Sequence, residues 1–288
     1  MASIDFDRAA RRLAFVTVGL PTFGFIAAIV FAAHYGFTAA DGVLLGVLYL
    51  VTIVGVEAGL HRFFSHRSFT AGPAVTTLLA LFGGMAAQGP IIFWVAIHRT
   101  HHAFTDADGD PHSPRPLGDG RFARLRGLWH GHVGWLFTLR RSNWSAYVPD
   151  LLKDRLVMRL NQAYFAFVLF GLALPTLLGW LVDGGWRGAV GGLLWGGLAR
   201  IFVLDHVTWG INSIAHTFGS RPHRTRDNSR NVAVLAPVSV GGSWHNNHHD
   251  SPAYADNRIR FWQVDLAGLF IRLLDKAGLI GNVRYRTH

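Results

Sequence analysis

The chain contains no cysteine. Disulfides, thiolate metal sites, iron–sulfur clusters and a cysteine nucleophile are therefore excluded, and any metal must be held by nitrogen and oxygen. Charge is also scarce: 15% of the 288 residues are charged, against 50% hydrophobic, with a mean hydropathy of +0.26. That balance excludes an ordinary soluble domain and fits a polytopic membrane protein. Internal repeats and low-complexity linkers are lacking, so residues 1–288 read as a single membrane domain. The N-terminal stretch "MASIDFDRAARR" carries charges of both signs and lacks a small-residue cleavage site. It reads as a retained cytoplasmic tail and not as a signal peptide.

What is present in excess is positive charge, +10 overall. In a soluble chain that surplus would point to nucleic acid. Here the arginines flank apolar runs, which the positive-inside rule explains, so the expected partner is membrane lipid and not nucleic acid. Four runs are long enough to cross a bilayer as helices, at about 12–34, 41–60, 161–182 and 187–209.

A fifth apolar run, Ala74 to Ile97, fails a parity test. It separates "HRFFSH" (His61 to His66) from "HRTHH" (His98 to His102), and one crossing would leave these on opposite faces. The interval is too short for two crossings of about 20 residues each. Gly83, Gly84, Gln88, Gly89 and Pro90 weaken a straight helix in its middle, so a broken, membrane-embedded segment is expected. The basic residues, Arg8, Arg11, Arg12, Arg140 and Arg141 among them, collect on the histidine side. That places both termini and the histidine face in the cytoplasm of a cell (inner) membrane.

Positions i, i+3 and i+4 share one face of an α-helix. His98, His101 and His102 have that spacing, as do His245, His248 and His249 in "HNNHH"; "NSIAH" adds Asn212 and His216 at the end of the last span. His61 and His66 are five apart, about 140° on a regular helix, so the first box is expected to straddle a helix end. Nine imidazoles and one amide thus gather on one face. One ion rarely takes more than six ligands, so nine suggest two ions, of an element that spacing does not choose.

Asp106, Asp108, Asp110, Asp205 and Asp250 are candidates to orient these rings by accepting their second N–H. His34, His206, His223 and His288 read as ordinary core or interface histidines, "DPHSP" (Asp110 to Pro114) as a rigid turn, and Trp129, Trp135 and Trp144 as an aromatic belt. The tail around Trp262, Leu266, Leu269, Phe270 and Leu273 reads as an interfacial amphipathic helix.

In these motifs the sequence resembles the membrane-bound fatty acyl desaturases of the stearoyl or delta-9 type, with "HRFFSH", "HRTHH", "DPHSP", "HVGW", "NSIAH" and "HNNHH" in the family's order from His61 to about Val283. The resemblance implies an all-α integral membrane protein with four transmembrane helices, a membrane-embedded interfacial segment and a helical cytosolic cap holding a histidine-rich di-iron site. It implies two Fe ions on His61, His66, His98, His101, His102, His216, His245, His248 and His249, with Asn212 acting through water, and O2 as co-substrate. The implied reaction is insertion of a double bond at C9 of a saturated acyl chain, with electrons from a separate ferredoxin or cytochrome b5-like donor.

Two positions depart from the family pattern. Gly242 stands where an acidic residue is common before the third box, and Ala96 and Ile97 stand where members using acyl-CoA carry charges. The acyl carrier is therefore CoA, acyl carrier protein or a membrane lipid. Hydroxylation or acetylenic bond formation on the same scaffold is the alternative reaction, because small differences in positioning decide the outcome. A zinc-containing membrane hydrolase or receptor is a third reading, but such sites need only three or four protein ligands.

Overall fold

The computed structural model describes residues 2–139 and 143–286, with side chains from residue 11 onward. Arg140, Arg141, His288 and the side chain of Arg8 lie outside the described residues. Among these residues nearly all of the regular structure is helix. The labels used below are α1 (Ala2–Tyr35), α2 (Ala39–Ser65), α3 (Pro73–Gly84), α4 (Ile91–Phe104), α5 (Arg155–Gln162), α6 (Tyr164–Asp183), α7 (Gly185–Ser213), α8 (His245–Asp250) and α9 (Leu266–Lys276).

Four helices are long and apolar enough to cross a membrane: Arg11–Tyr35 of α1, and α2, α6 and α7. Their outward faces are greasy, with Phe23 72% and Val182 68% exposed, as lipid contact requires and water contact would penalise. The boundaries differ from expectation by a few residues, mainly because α2 runs on through the first histidine box. Thr38 starts α2 with a reciprocal cap: its hydroxyl accepts the Asp41 N–H at 3.2 Å, and the Asp41 carboxylate accepts the Thr38 N–H at 3.0 Å. The α6–α7 hairpin packs backbone to backbone at Gly179 and Gly188, where a Cβ on Gly179 would lie 2.1 Å from the Gly188 carbonyl oxygen. Without lipid-excluded hydrophobic driving force, such small residues are what let helices approach.

The segment from 74 to 97 is broken, as its glycines and proline predicted. α3 enters, residues 85–90 turn, and α4 leaves toward the same end of the bundle. A turn at this depth needs its backbone groups satisfied by protein. Arg200 of α7, fully buried, donates to the carbonyls of Met85 at 3.0 Å and Gly171 at 3.3 Å. The Tyr164 hydroxyl accepts the Gly89 N–H at 3.0 Å, and the Asn161 side chain accepts the Ile92 N–H at 2.9 Å, serving the first turn of α4.

Beyond the spans, α4, α5, α8, α9 and the loops between them form a cap. Arg62 ties α2 to it through a bidentate pair with Asp265 at 2.8 and 3.1 Å, both side chains fully buried. A two-stranded antiparallel pairing, Thr70–Ala71 with Ile280–Gly281, fastens the C-terminal segment to the approach of α3. On α9, Ala267, Gly268 and Ile271 face inward while Leu266, Leu269 and Leu273 are exposed, which makes it amphipathic; Trp262 lies before the helix and not on it.

Candidate metal centre

The first box straddles the end of α2, as its spacing suggested, but the winding before that end is unusual. From Gly55 to Ser65 the helix winds with i→i+5 hydrogen bonding, His66 caps it, and the His66 N–H reaches the His61 carbonyl at 3.2 Å. Wider winding shortens the angle between residues five apart, so His61 and His66 share a face without a chain reversal. Their ring centroids are 4.9 Å apart.

The nine predicted imidazoles meet as two adjoining groups. His61, His66, His98, His102 and His248 form one, and His101, His216, His245 and His249 the other; within each, one nitrogen per ring lies within 4.8 Å of all the rest. An ion bound at about 2.1 Å from each donor separates opposite donors by about 4.2 Å, so the rings need close by only a few tenths of an ångström. Pairs of Nε2 atoms face each other directly, at 2.7 Å for His66 and His98, 3.0 Å for His61 and His248, 3.1 Å for His248 and His102, and 2.9 Å for His245 and His216.

Carboxylates fix which nitrogen carries the proton. His61 Nδ1 donates to Glu57 at 2.9 Å, His101 Nδ1 to Asp110 at 3.0 Å, His216 Nδ1 to Asp106 at 2.9 Å and His249 Nδ1 to Asp227 at 2.9 Å. An N–H committed outward leaves a bare Nε2 lone pair pointing inward. His101 Nε2 and His249 Nε2 are buried without any hydrogen-bond partner. Converging lone pairs repel one another unless a cation lies between them, and this is the donor set that fits a metal ion.

Electrostatics agree. Burial first, and neighbouring imidazoles second, hold His66, His98, His101, His102, His245, His248 and His249 well below the ordinary histidine range, so these rings stay neutral and able to ligate. Burial works against the Asp106 charge, but the hydrogen bond from His216, with the Asn228 N–H and the Ser113 hydroxyl, brings it down to about 2. Burial raises Asp110.

Other expectations fare differently. Asp106 and Asp110 do orient histidines, whereas Asp108 is exposed and pairs with Arg115, Asp205 accepts from Gln88 at 3.1 Å, and Asp250 lies 3.7 Å from His223. His206 pairs with His132 at 2.9 Å, and His34 Nδ1 bonds the Val30 carbonyl. Trp135 is no belt residue: it is buried, with its ring 5.5 Å from that of His112.

Glu57, Asp227 and His112 were missed. Glu57 had a signal, as the sole glutamate of the chain, inside an apolar span and one turn before His61. Asp227 had none, because only folding brings it to His249. His112, hidden in what read as a turn, is buried with its ring 4.4 Å from His101.

Asn212 lines a buried cavity of about 70 Å³ together with His98 and His112. None of the residues lining that cavity is exposed. Through Thr17, Gln88, Phe93 and Leu136 it adjoins an apolar cleft of about 500 Å³ between α1 and α6. Leu13, Val16, Leu20 and Phe165 line the cleft and are exposed on the apolar outside of the bundle.

Fold and site together define a helical membrane protein whose cap buries two polyhistidine clusters beside an apolar cleft. A sequence profile described as fatty acid desaturase matches residues 38–272, and the chain belongs to that family. It is similar to the hex-5-enoyl-[acyl-carrier protein] acetylenase of Moorena producens, 43% identical over 271 residues that cover 93% of this chain and 84% of that protein. It is also similar to the sn-1 stearoyl-lipid 9-desaturase of Anabaena variabilis, 37% identical over 85% of this chain and 84% of the relative. A third relative is delta-9 acyl-lipid desaturase 1 of Arabidopsis thaliana, 35% identical over 83% of this chain and 73% of the relative. Members of this family are oxidoreductases, and so is this chain.

Proposed function

We propose that residues 1–288 act as one oxygen-dependent acyl desaturase, with two iron ions held by the two histidine groups. The single observation that carries this reading is the set of converging imidazole nitrogens, one of whose rings, His98, lines a cavity that continues into an apolar cleft. His61, His66, His98, His102 and His248 would hold one ion, His101, His216, His245 and His249 the other, with Asn212 contributing through water.

When bound, the ions supply reduction of dioxygen and the power to remove hydrogen from an unactivated methylene. Two hydrogens leave the chain, two electrons and two protons enter, and both oxygen atoms depart as water. The protein's own part is placement: Thr17, Gln88, Phe93 and Leu136 guide the chain from the cleft to the His98 side, and its depth there decides which carbon reacts. The carboxylates of Glu57, Asp106, Asp110 and Asp227 hold the rings in one tautomer.

Relatives named as 9-desaturases support C9 as the position, and the acetylenase relative supports a second outcome, oxidation of an existing double bond to a triple bond. Ala96 and Ile97 are buried, so the stretch before the second box offers no surface to a CoA headgroup; this favours a chain linked to acyl carrier protein or to a membrane lipid. A separate ferredoxin or cytochrome b5-like protein brings the electrons. The clustering of basic residues supports a cap and termini on the cytoplasmic side of an inner membrane, and the exposed leucines of α9 suit its surface. Nine imidazoles in two adjoining groups exceed the three or four protein ligands of a zinc hydrolase or receptor.

The test is mass spectrometry of total fatty acids from a desaturase-deficient host carrying this chain, beside a His101→Ala, His248→Ala double variant. A new monoene or acetylenic product, present only with the wild type, is expected. Identical acyl profiles, with expression, iron and a competent electron donor verified, would remove the reading.

A further inference from the structure

The two histidine groups are not electrostatic equals. Four imidazoles make up the second group, and three of them, His101, His216 and His249, hand their Nδ1–H to Asp110, Asp106 and Asp227. In the first group, among the described residues, a carboxylate meets one of five rings, His61, through Glu57. All four carboxyl side chains are buried or nearly so, with exposures of 0% for Asp110, 4% for Asp106, 11% for Asp227 and 5% for Glu57. The nearby cations do not redress the difference: Arg62 and Arg99 lie near His66 in the first group, Arg62 pairs with Asp265, and Asp150 is shared between Arg99 and Arg67, so this side gains no surplus of negative charge.

Two effects then act in the same direction. A carboxylate that accepts Nδ1–H makes the opposite nitrogen a stronger donor, and such partners govern metal affinity. Negative charge held in a buried, poorly screened place also attracts a divalent cation more strongly than charge in water does. Three carboxylates against one outweigh a single additional neutral imidazole.

Resting on the reading of these groups as metal sites, we propose that the four-histidine group is the tight, permanently filled site and that the five-histidine group is the exchangeable one. Metal supply would then control activity through the occupancy of the first group alone.

The experiment is graded chelation of the full chain in detergent after loading with Fe(II) under anaerobic conditions, with metal per chain read by elemental mass spectrometry. The wild type is expected to release metal in two steps, with a plateau near one equivalent. Glu57→Gln moves only the early step, and Asp227→Asn only the late one, each by about 10- to 100-fold in chelator concentration. Asp227→Glu, which keeps the charge, restores part of the late step, which separates a lost charge from a disturbed fold. Release of both ions in one step, or Glu57→Gln acting on the late step, overturns the proposal. Failure to take up any metal would instead sink the reading of the clusters as metal sites.

Discussion

Glu57 occupies the space above Gly242. A Cβ on Gly242 would lie 2.3 Å from Glu57 Oε1, while Oε2 of the same carboxylate accepts from His61 Nδ1 at 2.9 Å. The turn before the third box therefore carries no side chain because a carboxylate from the first box fills its place.

That juxtaposition predicts strong coupling between the two positions. Gly242→Ala forces the carboxylate off His61 and is expected to cost about 1–3 kcal/mol, as overpacking does, with lower metal content. In a Glu57→Ala background the same substitution should cost far less. Thermal denaturation of the four proteins in detergent checks this, and equal costs in both backgrounds would remove the coupling.

Arg62 and Asp265 form the buried tie between α2 and the cap, with both side chains at 0% exposure. Asp265→Ala strands a buried guanidinium and is expected to destabilise by about 3–5 kcal/mol. The pair Arg62→Met, Asp265→Leu should recover part of that loss. Recovery stays partial because Asp265 also accepts the N–H groups of Asn257 at 2.7 Å and Gly268 at 2.9 Å.

The metal-free chain should lose stability in mild acid. Seven imidazoles of the two groups are pushed well below the ordinary value by burial first and by neighbouring rings second, and His112 falls to about 3 for the same reasons. In the unfolded chain these rings titrate near about 6.5. Below that pH the unfolded state binds more protons than the native one, so stability is full above about 6.5 and declines as pH falls. Denaturation midpoints at several pH values between neutral and mildly acidic should fall steeply, and a flat profile would contradict burial of neutral imidazoles.

Thr17 lines both the cavity beside His98 and the apolar cleft. Thr17→Trp should block the passage between them. Turnover is expected to fall by about 100-fold, the scale on which small displacements from the reacting centre act, while metal content and the denaturation midpoint remain near wild type. Undiminished turnover would show that the substrate takes another route.

Much of this architecture is legible from local pattern. Runs of about 20 apolar residues announce crossings because a bilayer leaves the backbone few alternatives. The i, i+3, i+4 spacing of His98, His101 and His102 puts them on one face of α4, and Gly83 through Pro90 announce the break between α3 and α4. The parity of the spans required every box to return to one side, and the structure has them meet there.

Other features could not be read locally. The five-residue spacing of His61 and His66 announced a helix end, but the wider turns between Gly55 and Ser65 that make the two rings converge depend on packing around the helix. The sequence supplied nine histidines in four motifs, but the division into groups of five and four cuts through "HRTHH" and "HNNHH", sending His98, His102 and His248 one way and His101, His245 and His249 the other. Asp227 reaches His249 across 22 residues, and Asp106 reaches His216 across 110. Periodicity determines which face of a helix a side chain occupies; which neighbour it meets there is decided only when separate helices pack, because that choice depends on distances no local pattern contains.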